Sequence, residues 1–213
     1  MTLATRTPIQ PVTLEGPAVR LEPLSLDHVP ALVAAAAEDR ATYAWTHVPA
    51  GEAEMQAYVE AALELAARGE ALPFTTRDAA TGRVVGSTRF ANFERLPWGG
   101  KPPGPAAPLD GVEIGWTWLA ASAQRTAVNT GAKYLMLRHA FEAWGTRVVR
   151  LKTDRRNTRS RAAIERIGAK LDGVIRAHSP GADGQLRDSA YYSIIESEWP
   201  AVRAALEARL ARG

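Results

Sequence analysis

The chain has 213 residues, 46% of them hydrophobic and 23% charged, with a formal net charge of +3 at neutral pH. That composition is ordinary for one globular domain, and no apolar run approaches the roughly 18 residues that a membrane span needs. Cysteine is absent, which excludes disulfides, zinc–thiolate sites and a cysteine nucleophile; the four histidines (His28, His47, His139, His178) lack metal-ligand spacing, so no metal is expected.

Residues 1–12 carry no basic segment followed by an apolar one, so a flexible N-terminus without a secretory signal is expected, in a cytoplasmic protein. Ala18 to Pro23 reads as a first strand. Asp27 offers an N-cap for a helix through Ala37, with Val29, Leu32, Val33 and Ala36 on one face. A loop with Tyr43, Trp45, Thr46, His47 and Pro49 follows. A second helix is expected from Glu52 to Arg68, with Met55, Val59, Ala62, Leu63 and Ala66 inward, ended by Gly69. Ala71 to Arg77 and Arg83 to Phe93 read as strands joined at Thr81-Gly82. Residues 95–110, rich in proline and glycine, can be neither helix nor central strand. They form either a tolerated surface insertion or a lid over a nearby site.

Gly111 to Leu119 reads as a buried strand, and Ala132 to Trp144, apolar at Tyr134, Leu135, Leu137, Ala140, Phe141 and Trp144, as a largely buried helix. Between them lies the polar segment Gln124-Arg125-Thr126-Ala127-Val128-Asn129-Thr130-Gly131. Strand, short polar loop and helix place unpaired backbone N–H groups at a helix N-terminus, where free donors and the helix dipole together favour phosphate. A ligand carrying a pyrophosphate follows from that layout.

Val148 to Thr153 is a further strand. Asn157 caps a helix running to Ile167, with Gly168 as its stop. Leu171 to His178 and Leu186 to Ile195 form a hairpin across residues 180–184, and a final helix from Glu198 to Leu210 buries Trp199, Val202, Leu206 and Leu210. The order β-α-α-β-β-β-α-β-α-β-β-α, with hairpins flanking a βαβ centre, gives an α+β fold on a mixed sheet. Arginines crowd residues 147–166, as either a solvated face or a set of anion-holding groups. Nothing else suggests a nucleic-acid or membrane partner.

In this order the motifs resemble the GNAT acetyltransferases, and more closely their RimJ/RimL-like subgroup. The resemblance is carried by Val112-Glu113-Ile114-Gly115-Trp116-Thr117-Trp118-Leu119, by Gln124-x-x-Ala127-x-Asn129-Thr130, and by Asn157-x-x-Ser160-x-x-x-Ile164-Glu165-Arg166-Ile167-Gly168-Ala169. It continues through Asp188-Ser189-Ala190-Tyr191-Tyr192-Ser193-Ile194-Ile195 and closes on Glu198-Trp199. It implies a single GNAT domain over residues 13–213, whose mostly antiparallel sheet splays between strands 112–119 and 148–153. It further implies acetyl-CoA in that opening, with the pantetheine along the backbone of Trp118 and Leu119 and the pyrophosphate on the N–H groups of Arg125, Thr126, Ala127, Val128, Asn129 and Thr130. Gln124, Asn157 and Ser160 complete that cofactor set. Ala127 and Asn129 stand where the family pattern has glycines. Alanine suffices if φ is negative, and asparagine tolerates a left-handed turn.

Acetyl transfer to an amine needs a neutral nitrogen, and hence a group that takes its proton. Glu113 matches the glutamate that many family members carry beside the thioester; the alternative is a structural carboxylate paired with an arginine. The tyrosine that many members use to protonate the departing thiolate is here Ile164. Ser160 is the substitute that the subgroup resemblance suggests, and Tyr192 a second candidate. Trp45, Trp98, Trp116 and Tyr192 are candidates for the wall of an acceptor cleft. The expectation is direct acetyl transfer to a primary amine, a protein N-terminus or a small molecule, by a monomer or homodimer. Other options are a GNAT-fold module that binds acyl-CoA without catalysis, and a nucleotide-phosphate binder, for which the glycine-rich lysine loop is missing.

Overall fold

A computed structural model describes residues 8–101, 103–104 and 107–212. In chain order it contains β1 (Leu14–Glu15), β2 (Val19–Pro23), α1 (Val29–Ala37), α2 (Gly51–Ala67), β3 (Ala71–Asp78), β4 (Val84–Glu94) and β5 (Gly111–Leu119). Then come α3 (Ala127–Arg138), β6 (Val148–Asp154), α4 (Thr158–Arg166), β7 (Lys170–Pro180), β8 (Leu186–Ile195) and α5 (Trp199–Leu210). The expected succession is present, with the two-residue β1 added. The expected flexible terminus lies largely outside the described residues, and where the chain is described, Ile9 and Val12 pack against the core. Pro102, Pro105 and Ala106 of the lid candidate also fall outside them.

Two helix starts differ from expectation. Asp27 is not a cap: it sits inside a 3₁₀ turn, Leu26–His28, and α1 begins at Val29 with Pro30 in its first turn, where a missing N–H costs nothing. The helix after β5 begins at Ala127, five residues before the apolar pattern. Thr126 caps it, its hydroxyl accepting from the Val128 N–H at 3.3 Å. The same helix ends in a π-helical turn, His139–Trp144, stopped by Gly145 at φ +64°.

All the strands join one sheet in the order β1-β2-β3-β4-β5-β6-β8-β7. Every neighbouring pair is antiparallel except β5 and β6. The fold is therefore α+β on a mixed sheet flanked by helices, as expected. On the α3 face of β4, Phe90 packs against Trp144 with ring centroids 4.7 Å apart, and both side chains are fully buried. An alanine at Trp144 would cost about 3–5 kcal/mol.

Two irregularities open the sheet. The β5–β6 ladder covers only Gly111↔Val148, Val112↔Val149 and Glu113↔Arg150, and beyond Glu113 the strands part. At the same place β5 bulges: Arg89 pairs with Gly115 and Ser87 with Trp118, so β5 carries one residue more than β4 there, and Trp116 takes φ +50°. Gly86 lets β4 follow that bend. Its φ is +154°, and a Cβ there would lie 2.1 Å from the Trp118 carbonyl oxygen.

Candidate active site

Where β5 and β6 part, a cleft of about 960 Å³ opens, walled by β5 and α3 on one side and by β6, α4 and the β7–β8 hairpin on the other. At one end of it stands the N-terminus of α3. The N–H groups of a helix's first turn have no intrahelical acceptor, and here the Val128 N–H is taken by Thr126. The left-handed residue is Arg125, at φ +62°, whereas Ala127 and Asn129 lie within the right-handed helix. Neither position needs a glycine for its backbone. Arg125 and Arg166 also line the cleft, and their guanidinium groups have no hydrogen-bond or ion-pair partner among the described residues. Free donors and unpaired cations in one cleft suit a ligand bearing several phosphate charges.

Gln124 serves as a strut. Its Nε2 donates to the Leu119 carbonyl at 2.9 Å and to Thr42 Oγ1 at 3.1 Å, and its Oε1 accepts from Arg159 of α4 at 3.0 Å. Arg159 donates as well to the Thr42 carbonyl, so this one side chain spans the mouth of the cleft. The Leu119 carbonyl takes a second donor, the Tyr43 hydroxyl, at 2.9 Å. Backbone groups alternate along a strand. The Ala120 N–H bonds to Val85, so Trp118 turns its backbone groups toward β4 and Leu119 turns its own toward the cleft. The Trp118 ring is buried, edge-on to Tyr43 with centroids 6.2 Å apart.

On α4 the Asn157 Oδ1 accepts from the Ser160 N–H at 2.9 Å, the N-cap expected from sequence. Both residues line the cleft, and the Ser160 hydroxyl has no partner among the described residues.

Glu113, 5% exposed, also lines the cleft. Its partner is a lysine, not an arginine: Lys152 Nζ lies 3.0 Å from Oε2, and Asn92 Nδ2 donates to that same oxygen at 2.9 Å. Oε1 accepts no hydrogen bond among the described residues. A Cβ on residue 115 would lie 3.0 Å from it, so Gly115 keeps that oxygen clear. The Trp116 ring stands nearby, 42% exposed, with Arg89 at 5.0 Å and Lys152 at 5.8 Å from its centroid. Trp45 completes the outer wall, under Arg156 at 4.3 Å. His178, which the sequence left unassigned, enters the cleft from β7 with its ring nitrogens 3.0 Å from Ser189 Oγ and 2.9 Å from the Tyr191 hydroxyl.

Two candidates lie elsewhere. Tyr192 is fully buried; its hydroxyl donates to Glu165 at 3.0 Å and accepts from Arg161 at 2.8 Å. Burial first, with the Glu165 hydrogen bond, pushes its pKa up despite Arg161. Trp98 is 61% exposed, stacked under Arg147, and its Nε1 donates to Asp110 at 2.9 Å. Neither lines the cleft. Ala127 and Val128, in the first turn of α3, do not line it either.

The acetyltransferase (GNAT) domain family matches residues 18–170. The chain belongs to the GNAT acetyltransferases. A GCN5-related N-acetyltransferase from Brucella melitensis is 30% identical, with 96% of this chain and 88% of that one covered and a TM-score of 0.81. A protein from T. thermophilus described as an acetyltransferase is 33% identical over 96% of this chain and 100% of that one, at a TM-score of 0.77. Mycobacterium smegmatis RimJ, solved with CoA-disulfide, is 22% identical over 93% of each chain at a TM-score of 0.74, a likeness of fold alone. None of the curated proteins matches the chain. As a GNAT acetyltransferase the protein uses an acyl-CoA donor. No helix among the described residues is long and apolar enough to cross a membrane.

Proposed function

We propose that the protein moves the acetyl group of acetyl-CoA to a primary amine by direct attack in a ternary complex. The observation that carries this is the presence, in one cleft, of the largely buried Glu113, whose Oε1 has no partner among the described residues, and a phosphate-suited helix start. The N–H groups from Arg125 to Thr130, other than that of Val128, which Thr126 takes, hold the pyrophosphate, with the Arg125 and Arg166 guanidinium groups beside it. The pantetheine runs along the open edge of β5, and the cap at Asn157 leaves its Nδ2 to meet a pantetheine carbonyl.

Glu113 Oε1 takes the proton of the incoming ammonium, directly or through one water. The neutral nitrogen attacks the thioester carbonyl; the C–N bond forms, the C–S bond breaks, and the electron pair leaves with sulfur. Backbone N–H groups of Thr117 and Leu119 on the open edge meet the oxyanion. Ser160 offers its unpartnered hydroxyl to the sulfur. Lys152 and Asn92 hold Oε2, which fixes the carboxylate with Oε1 toward the cleft. Trp116 and Trp45, each beside a cation, wall the acceptor end. The subgroup motifs support a protein α-amino group as acceptor, and a small primary amine fits the same wall.

Calorimetric titration with acetyl-CoA, beside dephospho-CoA and ATP, tests the donor. One-site binding of acetyl-CoA alone is expected, and no binding would sink the proposal. CoA release is then followed with peptides bearing free α-amines and with small amines. Glu113→Gln is expected to lower kcat about 10²-fold with acetyl-CoA affinity kept. Undiminished turnover would remove Glu113 from the role of base. Binding without turnover toward any amine would leave a non-catalytic acyl-CoA module.

A further inference from the structure

Lys133 takes no part in the scheme above, yet it is the most unusual ionisable group in the cleft. It stands on α3, one turn after Asn129, is 5% exposed and lines the cleft. Its Nζ donates to Thr117 Oγ1 at 2.6 Å and reaches Thr88 Oγ1 at 3.4 Å; the two hydroxyls are 2.7 Å apart. No carboxylate pairs with it among the described residues. The charged groups of the neighbouring strands, Arg89 on β4, Glu113 on β5 and Lys152 on β6, gather around Trp116 on the opposite face of the sheet. On its own helix the nearest is Arg138, which stacks on Tyr134. Burying an amine without a counter-charge is costly, and a methionine would pack there at no such cost.

Thr117 belongs to the part of β5 that has left β6, the edge along which the proposed pantetheine passes. The usual proton donor to the thiolate is missing, its position being Ile164, and a serine hydroxyl is a weak acid. We infer that Lys133, acting through the Thr117 hydroxyl, supplies the proton that the departing CoA thiolate takes up. As the C–S bond breaks, sulfur takes the proton of Thr117 Oγ1, and Oγ1 takes one from the Lys133 ammonium. CoA leaves as the thiol and Lys133 is left as the neutral amine, to be recharged from solvent when the cleft opens. Lys133 is thus a positioning and proton-supplying residue that reaches the sulfur through Thr117.

Burial pulls the Lys133 pKa down to about 7. An ordinary thiol titrates near ~8.5, so the transfer runs downhill. The charged form is present below about pH 7 and is lost above it. The donor therefore imposes an alkaline limb on kcat, opposite in sign to the demand for a neutral acceptor amine.

The inference rests on the proposed acetyl-CoA site, and its test needs no acceptor. The thiolate absorbance of CoA bound to the protein is followed against pH in wild type, Lys133→Met and Thr117→Val. Bound CoA thiol and Lys133 titrate as a coupled pair, so the thiolate absorbance is expected to rise in two steps in wild type, the first near the Lys133 pKa of about 7, and in a single step in Lys133→Met. With an accepted amine, both variants are expected to lose roughly 10- to 100-fold in kcat and to lose the alkaline limb, and the double variant to lose no more than either. Lys133→Met is expected to be at least as stable as wild type, which separates this outcome from a folding defect. Coincident thiol titrations in wild type and Lys133→Met overturn the inference and leave the proposed function standing. Failure to bind CoA at all overturns both.

Discussion

Tyr192 and Ser160 were paired in the sequence as candidate proton donors, and their surroundings separate them. The Tyr192 hydroxyl joins Arg161 and Glu165 of α4 to β8, and every bond it makes is structural. Tyr192→Phe is accordingly expected to leave kcat within about twofold, and to lower the denaturant midpoint by an amount equivalent to about 0.5–1.5 kcal/mol. A large fall in kcat with unchanged stability would return Tyr192 to the chemistry. The Asn157 cap could be read from sequence because it is local, its Oδ1 meeting the Ser160 N–H three positions on; the strut at Gln124 could not, since it ties Thr42 and Arg159, 82 and 35 positions away. Lys133 could not, although a signal was there. It lies four residues from both Asn129 and Leu137, on the buried side of a helix, in a chain with only four lysines. Its consequence depends on Thr117 and Thr88, and those contacts exist only once β4, β5 and α3 are assembled.

Among the elements, β4 and β5 set the shape of the opening through their backbones. Gly86 sits where a Cβ would meet the Trp118 carbonyl oxygen at 2.1 Å, and that neighbour is main chain that cannot rotate aside. Gly86→Ala is expected to cost about 3–5 kcal/mol, read as a lowered thermal midpoint, and to weaken acetyl-CoA binding at least tenfold in the fraction that folds. Unchanged stability would mean that β4 can move without disturbing β5. Element order and type could be read from periodicity and turn residues, because each depends on a short stretch of chain. The start of α3 could not be read from apolar spacing, because only Val128 of its first turn joins the core while Asn129 and Thr130 line the cleft. Thr126, a good cap residue in the right place, was the better guide.

For the whole molecule, the ordered motifs foretold that β5 and β6 would part, since no single segment was needed to recognise their succession. Trp98 marks the limit. Aromatic and close in sequence to β5, it is tied by Asp110 and Arg147 to the far end of that strand, away from the cleft. Position in space depended there on which end of β5 the loop joins. The bulge at Trp116 carries one more consequence, in the arithmetic of chain length. Before it, Glu113 faces the Arg89 side and Ile114 the Phe90 side; after it, Thr117 meets Thr88 and Trp118 pairs with Ser87. Striking out position 116 would leave all four of these side chains on their present faces, on a stretch that matches β4 residue for residue from Ala91 to Gly86. The core therefore has no use for that position. A chain of 212 residues lacking Trp116 is expected to fold with an unaltered far-ultraviolet spectrum and to lose acetyl transfer; full activity would show that the kink is ornamental. In that sense the protein is one residue longer than its fold requires, and the surplus residue is the cost of an open sheet.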